Sequence, residues 1–271
     1  MISLKISKFV SWLSMGLFLL SMASGLVVVF AYHPSLAYDS VQKMRFIIPY
    51  GDFFRALHYF SSEAFILILL LHIGFEVAKK KIKILNISWN YSILGFLVVV
   101  VLMFTGFVLK GDQSALAATN VAFNLMKNTP ILSHFVPLFQ DNNVYYYKFF
   151  IWHIIFLPLV LSYAIYKHVN TLTTKIEYIT IAIGLSIAGD LIFKMPPDIA
   201  LTQKVDTLKG PWFFWGAENL LRVNFSSLAV NSILLIPFGL LLLLPNICYK
   251  KSIKTLIVAW FLGYFVMSLI W

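Results

Sequence analysis

Long apolar runs, separated by short basic segments or long mixed ones, set the reading of this chain. The runs lie at about residues 9–32, 57–78, 91–109, 149–166, 178–193, 229–247 and 256–271. Each is at or near the length an α-helix needs to cross the hydrocarbon of a bilayer, roughly 20 residues at 1.5 Å per residue. The predicted fold class is therefore an all-α integral membrane protein of about seven transmembrane helices. Pro34 stops the first run, and that run is too long for a signal-peptide core and lacks a cleavage pattern, so it is read as retained. Residues 36–53 mix Asp39, Lys43, Arg45 and Asp52 with aromatics and isoleucine, the pattern of a helix lying on the membrane surface. Gly210 followed by Pro211 reads as a helix start, because proline suits a first turn.

Polar residues inside the apolar runs carry the chemistry. His58 and His72 are fourteen residues apart, almost four full turns, so both imidazoles leave one face about 21 Å apart along the axis. In YKFFIWHIIFLPLVLSYAIYKH, His153 and His168 are fifteen residues apart around Pro158. An unbroken helix would turn the second of these by about 60°, but proline removes a backbone bond and permits a kink. A lone intramembrane histidine is ordinarily a satisfied polar group facing a neighbouring helix. Four, paired at matching depths on two helices, point to two flat metal cofactors held one above the other, that is, two bis-histidine haems.

Other residues leave alternatives open. Arg55, about one turn before His58, either pairs with a haem propionate or snorkels to the interface. Glu63, inside the second run, is protonated, paired or exposed to a water-filled cavity, with a place on a proton path as the less favoured reading. Glu76 reaches the interface and can pair with Lys80 at i+4. Gly106 admits either a macrocycle or a close helix. The apolar loop NTPILSHFVPLF, broken by Pro130 and Pro137, is expected to cover a site at the membrane surface, and His134 within it and His33 are read as structural.

Composition agrees with the runs: of 271 residues 60% are hydrophobic and 12% charged, and the mean hydropathy is +0.85. The formal charge of +10 does not indicate nucleic acid, because the basic residues sit where loops meet membrane; anionic lipid is the expected partner. Lys5, Lys8, Lys79, Lys80, Lys81, Lys83, Lys167, Lys175, Lys250, Lys251 and Lys254 fall on one side, while three long loops hold the other Lys and Arg together with seven acids. The positive-inside rule then makes the N-terminus cytoplasmic and turns the loops at about 33–56, 110–148 and 194–228 outward. The expected location is the prokaryotic cytoplasmic (inner) membrane. The single cysteine, Cys248, is too few for a cysteine-ligated cluster and is read as inert.

The stretches GDFFRALHYFSSEA, FTGFVLKGDQ, YKFFIWHIIFLPL and GPWFF, with the fourteen-residue histidine gap, resemble cytochrome b of the cytochrome bc and b6f complexes. Residues 1–175 resemble the four-helix haem-binding part, and residues 176–271 the three-helix unit that b6f complexes carry as a separate subunit. The fifteen-residue gap is similar to the b6 type. The resemblance implies non-covalent haem b twice: His58 and His153 on the outer-side iron, His72 and His168 on the inner-side one, with Gly25 and Gly106 beside the macrocycles and Arg55 and Lys148 near propionates. It further implies a quinone/quinol site of Pro130, Ile131, Pro211, Trp212 and Phe213, a Rieske iron–sulfur protein and a c-type cytochrome as partners, and a homodimeric complex. The chain departs from the pattern at Ser11 and Ser92, where glycine is usual; at Lys148 and at Tyr59, where arginine is common; at Phe9, where the b6 type has a haem-attaching cysteine; and at Pro211, where the PEWY-type motif has its glutamate.

The expected function is a di-haem cytochrome b subunit of a quinol-oxidising respiratory complex that moves electrons from quinol across the membrane. The alternative is a haem b membrane anchor that links a non-Rieske redox enzyme to the quinone pool, and a third reading, a proton-carrying transporter, is disfavoured by the four-histidine spacing. Because Pro211 cannot accept a proton, Glu218, seven residues on and on the same face of a continuous helix, is the expected acceptor. Asp206 is its substitute, and pairing of Glu218 with Arg222 at i+4 is the competing structural reading.

Overall fold

The computed structural model describes residues 2–78, 87–130, 132–140, 145–205, 207–246 and 250–269. Lys80, Ile131, Asp206 and Cys248, singled out above, lie outside the described residues. The helices are α1 (Ile2–Val29), α2 (Ala37–Phe46), α3 (Gly51–Ala78), α4 (Ile87–Val108), α5 (Gln113–Lys127), α6 (Tyr145–Ile151), α7 (Leu157–Val169), α8 (Ile176–Phe193), α9 (Trp215–Arg222), α10 (Ser227–Leu243) and α11 (Lys250–Leu269). Six segments of the described residues are long and apolar enough to span a bilayer, one of them being the continuous stretch Tyr145–Val169 through α6 and α7. The seventh expected span is the shorter apolar helix α10.

Lipid gives no hydrophobic push between helices, so packing and internal polar bonds must join them. α1 lies antiparallel to α3, and α4 antiparallel to the α6–α7 span. Leu13, Leu17 and Phe18 of α1 meet Phe65 and Ile66 of α3, Val98 and Val99 of α4, and Leu157 and Leu161 of α7 in one buried cluster. α8 packs on both α1 and α3 and adds Ala182 to that cluster. Side-chain amides and indoles reach carbonyls near helix ends: Trp89 donates to Leu241 O at 2.7 Å, Asn231 to Leu125 O at 2.8 Å, and Asn219 to Met267 O at 2.7 Å. These bonds tie α10 to α4 and α5, and α9 to α11.

α3 starts at Gly51, well before its apolar run, because Asp52 suits the positive end of a helix dipole and Arg55 occupies the next turn. The expected surface helix is shorter than residues 36–53 and ends at Phe46. α4 passes into α5 through Gly111 at φ +64°, where a Cβ would stand 2.7 Å from that of Ala37. The Asp112 carboxylate then caps α5 by accepting from Ala115 N–H at 2.8 Å. The effect is to press α2, α5 and the segment before α9 together at one end of the bundle, called here the upper end.

Candidate functional site

Four histidines converge from two elements. α3 presents His58 at the upper end and His72 at the lower. The facing span has to bring His153 and His168 into the same register although they are one residue further apart, and it does so with a π-helical turn at Trp152–Phe156. In that turn Leu157 N–H bonds Trp152 O, five residues back, just ahead of Pro158, which has no N–H to give. A π-bulge absorbs one extra residue; the phase is restored by the bulge rather than by a proline kink alone.

His58 and His153 stand with ring centroids 6.2 Å apart and planes at 90°. His72 and His168 stand 6.2 Å apart at 76°. Two metal–nitrogen bonds of about 2 Å, with about 1 Å more from each nitrogen to its ring centre, place two axial imidazoles about 6 Å apart. Both pairs meet that spacing.

Proton placement agrees. His58 Nδ1 donates to Ser21 O at 2.9 Å, since a carbonyl can only accept. Ser11 Oγ already gives its one hydrogen to Ser7 O, and Thr105 Oγ1 gives its own to Leu102 O, so each accepts from a histidine: His72 Nδ1 at 3.1 Å and His153 Nδ1 at 3.0 Å. His168 Nδ1 donates to Ser88, whose carbonyl lies at 3.1 Å and hydroxyl at 3.0 Å. In all four rings Nδ1 carries the proton and Nε2 is the lone-pair nitrogen, the tautomer a metal-ligating histidine takes. Gly25 and Gly106 lie against the upper pair: a Cβ at either would stand 2.9 Å from Cε1 of His58 or His153. Two imidazoles per site suit an iron whose other positions a macrocycle fills, and the residues therefore fit haem.

The upper pair opens into a cavity of about 690 Å³ lined also by Arg55, Glu63, Lys110, Pro211, Trp212 and Phe213. At its edge stands a carboxylate that the sequence reading passed over, Asp198. Its side chain is fully buried, accepts two hydrogen bonds from Arg55 at 2.6 and 2.8 Å, and has Lys110 at 3.7 Å and Arg45 at 3.9 Å. Gln42 donates to it at 3.3 Å, and Ile199 N–H next door donates to Asp112. A buried charge without such partners would cost several kcal/mol, so this cluster clamps all three long loops together. The only sequence signal was a lone acid after Pro-Pro in an apolar loop.

The remaining expected residues are scattered. Lys148 is half-buried on α6, and Pro130 is exposed with its carbonyl beside His134 Nδ1 at 3.0 Å; neither lines the cavity. Met195, Pro196, Pro197 and Ile199 form wall in that region. Helix α9 begins only at Trp215, after a 3-10 turn at Trp212–Phe214, so residues 211–222 are not one continuous helix. Glu218 does not line the cavity; it accepts from Gly210 N–H at 3.1 Å. Burial pushes its carboxyl up to about 7, against the opposing pull of the Gly210 amide, Arg222 and Lys209.

Fold and site thus define a membrane-spanning helical bundle with two stacked bis-imidazole sites. A family model described as cytochrome b (N-terminal)/b6/petB matches residues 63–181. The menaquinol:cytochrome c reductase cytochrome b subunit of Bacillus subtilis (strain 168) is 30% identical over 149 residues, 51% of this chain and 66% of that one. Its Geobacillus thermodenitrificans counterpart is 29% identical over the same shares. Cytochrome b of Yarrowia lipolytica is 28% identical over 57% of this chain and 42% of its own length. The chain thus spans just under two thirds of those bacterial subunits. A solved chain of a "Hyperthermophilic respiratory Complex III" superposes with a TM-score of 0.70 at 16% identity, covering 97% of this chain and 91% of that one, a likeness of fold. Residues 63–181 thus match the cytochrome b/b6 family model, and the chain is similar to cytochrome b subunits over about half its length.

Proposed function

We propose that the chain is the di-haem cytochrome b subunit of a quinol-oxidising complex, taking electrons from quinol at the upper cavity and passing them to the lower end. The observation that carries this is the pair of matching 6.2 Å imidazole separations, one above the other on the same two elements. His58 and His153 would hold the upper haem, and His72 and His168 the lower. A bound haem supplies a one-electron carrier whose potential the surrounding residues set.

The chain's own residues supply the rest. Each Nδ1–H bond fixes its ring and raises the basicity of Nε2. Gly25 and Gly106 keep the space beside the upper rings clear of side chains. Arg55 and Lys110 bring positive charge to the upper cavity, where propionates would need it, while Asp198 holds Arg55 and Asp112, at 3.0 Å, holds Lys110; Lys148, one turn and a half before His153 on the same span, would act from further off. Pro211, Trp212 and Phe213 give the cavity a wall against which a quinol ring can lie, and the resemblance adds Pro130 and Ile131 as further candidate quinone-binding residues. Residues 1–175 would form the haem-binding part and 176–271 the companion unit. The upper end would face outward by the charge distribution of the loops, with a Rieske-type iron–sulfur protein and a c-type cytochrome as partners in a dimeric complex and the N-terminus in the cytoplasm.

The test is haem extraction and a reduced-minus-oxidised spectrum of the purified protein, followed by addition of a dimethylnaphthoquinol. Two extractable b haems per chain, reduced by the quinol, are expected. One haem, or two that quinol leaves oxidised, would contradict the proposal.

A further inference from the structure

Oxidising a quinol requires a proton acceptor at the ring hydroxyl, and Pro211 cannot be one. Two carboxylates flank the Gly210–Trp212 segment from opposite sides. Glu218, on α9, is turned onto the Gly210 amide and does not line the cavity. Glu63, on α3, lines the cavity, and its Oε2 accepts from Trp212 Nε1 at 2.6 Å, one residue from Pro211. The neighbouring hydroxyl is that of Tyr59, about one turn earlier on α3 and on the same cavity wall. Tyr59 and Trp212 are neutral, so neither supplies the counter-charge that a structural carboxylate inside a membrane usually has. Besides Glu63, the cationic and titratable groups sharing the cavity are Tyr32 after α1, Arg55, His58 and Tyr59 on α3, Lys110 after α4, His153 in the π-turn and Lys209 before α9. The cavity is otherwise walled largely by apolar and aromatic side chains.

We propose that Glu63, presented by the haem-bearing helix α3 and aimed by Trp212, is the carboxylate that receives a proton from the bound quinol, and that Glu218 only holds the Gly210–Trp212 segment in shape. The proposal rests on the quinol-oxidation reading above. Quinol going to quinone gives up two protons and two electrons. One hydroxyl O–H bond breaks as a new O–H bond forms on Glu63, the other proton leaves to water, and the electrons leave singly to acceptors of the ferric haem and iron–sulfur classes. The carboxylate returns to its charged form when it passes its proton on to the cavity water.

The variants are Glu63→Gln, Glu63→Asp and Glu218→Gln, each purified in the whole complex. Glutamine keeps an oxygen for Trp212 to bond, and so keeps the shape while losing the basicity. Expected in Glu63→Gln are both haems at unchanged potentials, quinol-driven haem reduction slower by about 100-fold, and loss of the carboxylic C=O band that appears in the infrared difference spectrum when dimethylnaphthoquinol is added. Glu63→Asp recovers the band and part of the rate, and Glu218→Gln retains both. Near-normal reduction in Glu63→Gln, persistence of the band in it, or failure of Glu63→Asp to recover either overturns the assignment. Wild-type protein whose haems quinol does not reduce would refute quinol oxidation itself, a result distinct from all of these.

Discussion

The upper and lower histidine pairs have the same ring separation but are supported in different ways. At the upper pair Gly25 and Gly106 face the rings, His58 bonds a main-chain carbonyl and His153 the Thr105 hydroxyl, and the surroundings open into a cavity edged by Arg55, Lys110 and buried Asp198. At the lower pair the hydroxyls of Ser11 and Ser88 meet His72 and His168 directly. Ser11 stands fourteen residues before Gly25, where glycine would be usual, and is a partner of His72. Ser92, the equivalent position before Gly106, instead bonds Trp89 O within its own helix. One ring separation is thus reached with glycines facing the rings at the end that opens into the large cavity, and with two serine partners at the other.

The largest expected effects separate the two ends through the π-turn. Deleting Tyr163 from the regular part of α7 rotates His168 by about 100° relative to His153 and should abolish the lower haem while sparing the upper. Deleting Ile155 together with Pro158→Ala replaces the bulge by plain helix with a fourteen-residue spacing, and should keep both. Haem per chain measures each. Loss of both haems in the second variant would mean that the bulge does more than set phase.

Next come the support residues. Gly25→Leu and Gly106→Leu put a side chain into His58 or His153, and should lower occupancy of the upper haem only. Ser11→Ala removes the oxygen that receives His72 Nδ1–H, and should weaken retention of the lower haem by about 10–100-fold, read as haem loss on dilution. Equal loss from both ends in either case would erase the contrast between the glycine-faced and the serine-partnered end.

Arg55→Gln has a smaller effect, because Lys110, Arg45 and Gln42 still face Asp198. It should destabilise the protein by about 1–3 kcal/mol in thermal melts and lower the potential of the upper haem more than that of the lower in a redox titration. The smallest effect concerns Glu218, whose carboxyl is raised in the folded state to about 7 from an ordinary 4.5. Its contribution to stability is complete at low pH and is lost as pH rises through about 7. Discounted for partial exposure, the loss is about 1 kcal/mol between pH 5 and 8, and Glu218→Gln should flatten that slope in melts across the range.

How far the sequence carried the fold follows from its physics. Apolar length fixes membrane spans, so the spans were legible, but their polar ends were not: α1, α3 and α11 each start six or seven residues before their apolar runs, α10 stops four residues short of its run, and α5, at Gln113–Lys127, lies in a stretch read as loop because it is too short and polar to span. Histidine spacing fixed which residues share a face, and the pairing of His58 with His153 and of His72 with His168 came out as depth required. The π-turn was not legible, since an extra residue and a proline are equally compatible with a kink. Asp198 and the Glu63–Trp212 bond were missed for another reason: they join positions 143 and 149 residues from their partners, and no local pattern marks them. Placing Glu218 on the Pro211 face failed because the helix starts four residues later than assumed.

The central claim is that each haem is bound across the two elements, by one imidazole from α3 and one from the Tyr145–Val169 span. Low-temperature difference spectra and redox titrations of the four single variants His58→Leu, His72→Leu, His153→Leu and His168→Leu test it directly. Loss of one common haem by His58→Leu and His153→Leu, and of the other by His72→Leu and His168→Leu, is the predicted result. A common loss shared by His58→Leu and His168→Leu, or by the two histidines of a single helix, would contradict it.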